Sequence, residues 1–297
     1  MSRAIFKNNP RLSLFNQKLK LKMSDETKLD ALMDLFTLAG RGDAKGLARF
    51  LKTKKAHPND RWRASEKPSS AGLLSPVWAI EAGQLAVGYA AGEGKAAAVA
   101  FLAPISDLSI VDEKGDTALI SGAFFGDPDC AKAMLAAIKD ASVVNAKGAK
   151  GETALMAAAR RGQDSYVKAL LADSRCDAAL VSDNGETAFE LATNEANWET
   201  AALLSPFVSD SKFNEWAAAM AAGTVWFDAF DTPGLHERIP LEIAKIAVAS
   251  SKNPAAEMPK TLARVEAWEL GAIVKDNDAA PGAETSEALT RRRPLSL

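Results

Sequence analysis

Along most of this chain, apolar residues recur at intervals of three and four, in short bursts separated by glycine and polar turns. Leu35, Ala39, Leu47, Phe50 and Leu51 form the first burst, and Met134-Leu135, Leu170-Leu171 and Leu203-Leu204 lie in later ones. A period near 3.6 predicts amphipathic helices, each with one buried stripe. Beyond residue 205 the same texture predicts three more helices. One opens at Phe213-Asn214-Glu215-Trp216, one runs from Pro240 to Val248, and one runs from Pro259 through Val265 and Trp268 to Val274.

The bursts repeat in register. Gly115-Asp116-Thr117-Ala118-Leu119, Gly151-Glu152-Thr153-Ala154-Leu155 and Gly185-Glu186-Thr187-Ala188-Phe189 follow one another at nearly equal intervals. Nine residues after each threonine stands a small residue, Gly126, Gly162 or Ala196, and each unit ends in an apolar pair. A threonine hydroxyl at a helix start can cap free amides. Gly126 and Gly162 suit the left-handed turn that ends a first helix. Gly122, Ala158 and Ala192 are small enough for close helix approach. Two degenerate copies precede these units, one running from Gly83 to Leu102 and one around Leu35–Leu51.

This register resembles the ankyrin repeat, with its period of about 33 residues. The resemblance implies an all-α, ankyrin-like helical solenoid of about five repeats with a helical C-terminal cap. The expected division is a basic arm over 1–24, the repeats over 25–205, the cap over 206–275 and a disordered tail over 276–297. The interval from Gly42 to Gly94 is much wider than the others, which predicts an insertion at about 52–82. The family's histidine after the motif leucine is replaced by Gly88, Ile120, Met156 and Glu190, so looser coupling between repeats is expected.

Composition narrows the function classes. With 47% apolar and 25% charged residues the chain reads as globular, and no apolar run is long enough for a membrane span. The net charge of −2 gives no general attraction to nucleic acid. It hides an uneven distribution: residues 1–24 carry six basic residues and no acid. That segment reads as a flexible arm or as residues upstream of a start at Met23, with an organelle transit segment or a membrane- or nucleic-acid-contacting arm as the alternatives. Two cysteines and two histidines leave little for a disulfide framework or a metal site.

No catalytic constellation emerges. Gly92-Glu93-Gly94-Lys95 lacks the upstream glycine and the following hydroxyl of a phosphate loop, with Tyr89 and Ala96 in those places. Cys130 sits at a helix start beside Asp129 with no neighbouring histidine, so it reads as a packed thiol. Asp127–Asp129, Asp228–Asp231 and His236 read as loop surface, and Trp216, Trp226 and Trp268 as core. No catalytic residue, cofactor or metal is therefore expected.

The resemblance implies a concave binding surface built from hairpin tips and the exposed side of the first helices. Its residues would be Tyr89, Glu93, Ser121, Phe124, Phe125, Ala157, Arg160, Arg161, Leu191, Asn194 and Glu195. Phe124 and Phe125 stand out, because the family usually places polar residues there. The expected function is a non-catalytic adaptor or inhibitor binding another protein in the cytoplasm, as a monomer or with weak self-association. Two alternatives remain: a structural component that self-associates, and an enzyme with its site in the C-terminal helices.

Overall fold

In the computed structural model the described residues are 30–62, 83–222 and 228–279. They are mostly helical and contain no sheet. Expectations for the basic arm, for Trp226 and for the far end of the tail lie outside the described residues. The chain divides into two compact units, 1–208 and 209–297.

The first unit is a series of helix pairs: α1 (30–40) with α2 (Ala44–Leu51), α3 (Ala86–Gly92) with α4 (Ala96–Leu102), and α5 (Ala118–Gly122) with α6 (Pro128–Ala137). After a single turn, α7 (Ala141–Val144), come α8 (Ala154–Arg160) with α9 (Asp164–Leu171) and α10 (Ala188–Asn194) with α11 (Trp198–Leu204). Helices this short are unstable alone in water, so they persist only by stacking. First helices α3, α5, α8 and α10 pack in sequence, and second helices α2, α4, α6, α9 and α11 form a parallel layer. The core lies between the layers and includes Leu47, Leu102, Leu119, Met134, Met156 and Leu170.

The repeating residues build the repeating structure. Thr117, Thr153 and Thr187 cap α5, α8 and α10, their hydroxyls accepting from Ile120 N, Met156 N and Glu190 N at 3.3 Å each. Between the helices of each pair the backbone turns left-handed at Gly42, Gly94, Gly126 and Gly162, and at Ala196 with φ +57°. Three hairpins share a closing backbone bond, from Asp112 N to Asp116 O, Gly148 N to Glu152 O and Ser182 N to Glu186 O.

The insertion is shorter and later than its sequence suggests. Residues 52–62 belong to an ordinary repeat: Asn59 Oδ1 accepts from Asp107 N at 2.7 Å, and Trp62 is fully buried against Phe36, ring centroids 5.6 Å apart. Trp62 N then donates to Gln84 O, the same bond that closes every other hairpin, but here its two ends lie far apart in the sequence. The extra length therefore enters at a hairpin tip, and without it the interval from Gly42 to Gly94 matches the other repeats. Most of that length, within 63–82, lies outside the described residues.

Other side chains bond adjacent repeats together. The fully buried Tyr166 donates its hydroxyl to Leu119 O at 2.7 Å in the preceding repeat. Asn197 Nδ2 donates to Ala159 O and Arg160 O at 3.1 and 3.0 Å, and Gln163 Nε2 to Phe124 O at 3.3 Å. Gln163 and Asn197, just after the left-handed turns, and Tyr166 one helical turn later thus fasten the fourth and fifth repeats to carbonyls in or just after the preceding first helix.

The second unit contains α12 (Asp210–Ala222), α13 (Asp228–Asp231), α14 (Leu241–Ser250), α15 (Pro254–Glu257) and α16 (Pro259–Ala279). Asp231 caps α16, accepting from Lys260 N and Thr261 N at 2.9 and 2.8 Å. Arg264 ties α16 to the segment between α13 and α14 by donating to the carbonyls of His236 and Ile239. Helix α16 continues to Ala279, past the Lys275 expected to end it.

Candidate functional site

Four residues expected on the exposed side of the first helices are buried: Tyr89, Ser121, Ala157 and Leu191. The helix stripe facing the neighbouring repeat is wider than an outward-facing reading allows. Tyr89 packs on Phe36 at 5.9 Å, and burial, then the nearby Glu93, pushes its phenol up to about 12. Glu93 and Arg160 are half-buried, whereas Arg161, Asn194 and Glu195 are exposed.

The face is organised by a spacing of eight residues that lies outside the repeat motif. In the fourth and fifth repeats the residue after the hairpin glycine reaches the end of its own first helix, eight positions later. Arg160 Nη2 donates to Glu152 Oε2 at 2.5 Å, and Asn194 Nδ2 donates to Glu186 Oε1 at 2.8 Å. In the third repeat the corresponding pair is Asp116 and Phe124, which cannot bond. Asp116 instead accepts from Ala149 N of the next hairpin at 2.8 Å. In the second repeat the pair is Gln84 and Gly92, and the glycine leaves the position empty.

Two adjacent repeats without the pair open a cleft. It measures about 220 Å³ and is lined by Gln84, Tyr89, Gly92, Glu93, Asp112, Lys114, Asp116, Ser121 and Phe124. Asp112 holds its own hairpin, accepting from Lys114 N and Asp116 N at 2.9 Å each. Burial raises its carboxyl pKa, and Asp116 adds to the rise against the lowering effect of the backbone bonds.

Beside the cleft, Phe124 and Phe125 are 52% and 58% exposed. The Arg161 guanidinium lies over the Phe124 ring at 3.7 Å, within cation–π range. Burial, and then the neighbouring Arg160, lowers the Arg161 pKa. The Phe125 ring presses on Gly94, where any Cβ would overlap it. So Phe125 spans to the second repeat while Phe124 reaches toward the fourth.

The chemically suggestive residues of the sequence have structural roles. Glycines 92 and 94 end α3, and Lys95 opens α4. Asp127 caps α6, accepting from Asp129 N and Cys130 N at 2.8 and 3.2 Å. Cys130 and Cys176 are free thiols, and burial followed by nearby aspartates pushes them up to about 12 and about 11. In the second unit Trp216 packs on Phe213, whereas Trp268, expected in the core, is 45% exposed with Lys245 Nζ 3.4 Å from its ring centre. His236 Nδ1 lies 3.1 Å from Glu237 Oε1. Among the described residues no three side chains gather as metal ligands, and no helix is long and apolar enough to cross a membrane.

Residues 123–214 match the family model for Ankyrin repeats, in three copies.

Proposed function

We propose, from the match of residues 123–214 to Ankyrin repeats, which generally mediate protein–protein interaction, that the chain is a non-catalytic adaptor or inhibitor. It docks a partner protein on the face formed by the hairpins and the ends of the first helices. One observation carries this reading: where the fourth and fifth repeats spend a polar side chain on their own hairpin carboxylate, the third presents Phe124, half exposed, beside an open cleft. Aromatic and arginine side chains are the types enriched at binding hot spots. A stable interface of about 1,600 Å² would extend over several repeats, with Phe124, Phe125 and Arg161 near its centre. The two free thiols, Cys130 buried and Cys176 half-buried, suit a reducing compartment, which supports the cytoplasm as the location.

The test compares affinity capture from native extract by the full chain and by a Phe124→Ser/Phe125→Ser variant, quantified by mass spectrometry. The reading expects proteins enriched on the wild-type chain to fall at least tenfold on the variant, with the thermal melt retained. Equal capture by a folded variant would refute it. Arg160 is unsuitable for this test, because its guanidinium holds Glu152 and its loss would perturb the fold.

A further inference from the structure

The cleft between the second and third repeats has a charge as well as a shape. Among the described residues, three carboxylates, Glu93, Asp112 and Asp116, share it with one ammonium, Lys114. Asp112 and Asp116 accept from backbone amides of the hairpins. The Glu93 carboxylate forms no hydrogen bond or ion pair among the described residues, and it stands at the end of α3 on the cleft wall. The remaining lining is Gln84, Gly92 and Ser121 with two aromatic residues, the buried Tyr89 and the exposed Phe124. Carboxylates beside the exposed Phe124 ring attract a cation twice, by charge and by the ring quadrupole. The same arrangement repels an acidic or phosphorylated segment. A purely aliphatic group would cover Glu93 without offering it a partner, which costs free energy.

Resting on the docking reading above, we propose that the partner inserts an arginine or lysine side chain into this cleft, paired with Glu93, while an adjacent apolar residue covers Phe124 and Phe125. The occupant is thus a basic–apolar stretch of a protein. The two sides of Phe124 differ in sign, with carboxylates toward the cleft and Arg161 over the ring. That polarity fixes where the basic residue goes and makes a reversed peptide a poor fit.

Because the natural partner is unidentified, the probe is a phage-displayed library of random twelve-residue peptides selected on the immobilised full chain. Enriched peptides are then synthesised, labelled and titrated by fluorescence polarisation. The proposal expects enrichment of arginine or lysine next to an apolar residue. It expects Glu93→Gln to weaken these peptides about fivefold, the scale of one partly exposed ion pair. It also expects Glu93→Lys to bind better a peptide whose basic residue is replaced by glutamate. Enriched peptides that lose affinity on Phe124→Ser yet show no basic preference and ignore Glu93→Gln would overturn this proposal and leave the docking reading standing. Peptides that bind both variants like the wild type, or no enrichment at all, would overturn both.

Discussion

Gly122 and Tyr166 offer a direct measure of how adjacent repeats hold together. Gly122 ends α5, and a Cβ there would overlap the Tyr166 hydroxyl while meeting Tyr166 Cζ and Met134 Cε at 3.1 Å each. That hydroxyl donates to Leu119 O at 2.7 Å in a fully buried site. Tyr166→Phe removes one buried hydrogen bond and leaves a carbonyl unpaired, costing about 1–2 kcal/mol. Gly122→Ala gains some helix propensity but overpacks the site and displaces the hydroxyl, for a net cost of about 2 kcal/mol. In the Phe background the worst overlap is gone, and Gly122→Ala should cost about 0.5 kcal/mol or less, so the two changes couple by about 1.5 kcal/mol. Urea unfolding followed by circular dichroism reads this as a midpoint drop of about 1 M in the wild-type background, at a slope of about 2 kcal/mol/M. Equal costs in both backgrounds would refute the reasoning, because the hydroxyl would then not be the group that Gly122 accommodates.

Three further outcomes follow from single observations. Ala196 holds φ +57°, a conformation that glycine adopts without the Cβ cost, so Ala196→Gly should stabilise by about 0.5–1 kcal/mol and raise the melting temperature; an unchanged or lower melt contradicts this. Arg160→Ala leaves the Glu152 side chain, 8% exposed, without its ion-pair partner, and should cost about 2 kcal/mol, or about 5 °C in the melt, part of which Glu152→Gln should restore. Cys130 titrates at about 12 in the fold against an ordinary 9.0, so the unfolded chain loses that proton first. Its contribution to stability is whole below pH 9.0 and declines as pH rises toward 12, a fall that Cys130→Ala should reduce.

Much of the architecture was legible because the repeat register depends on residues whose reasons are local. Thr117, Thr153 and Thr187 cap amides three residues away, and Gly126 and Gly162 turn the chain where they stand. The hairpin at Trp62 and Gln84 was not legible, since its two sides are distant in sequence and share no motif with the short hairpins. Tyr89 and Ser121 were misplaced because a stacked helix buries its sides as well as its inner stripe. Phe124 could be singled out as an apolar residue at a polar position. What it replaces became clear only from the Glu152–Arg160 and Glu186–Asn194 bonds, whose eight-residue spacing is present in the sequence but has meaning only once the hairpin lies beside the helix end.

That a partner protein sits over Phe124 is tested most directly by placing the photoreactive residue p-benzoylphenylalanine at that position in the full chain and illuminating native cells. Lys132, exposed on α6 in the other helix layer, serves as the control position. A discrete covalent adduct to a second protein from position 124, absent from position 132, is the predicted result. Adducts of equal yield from both positions, or from position 132 alone, would contradict it.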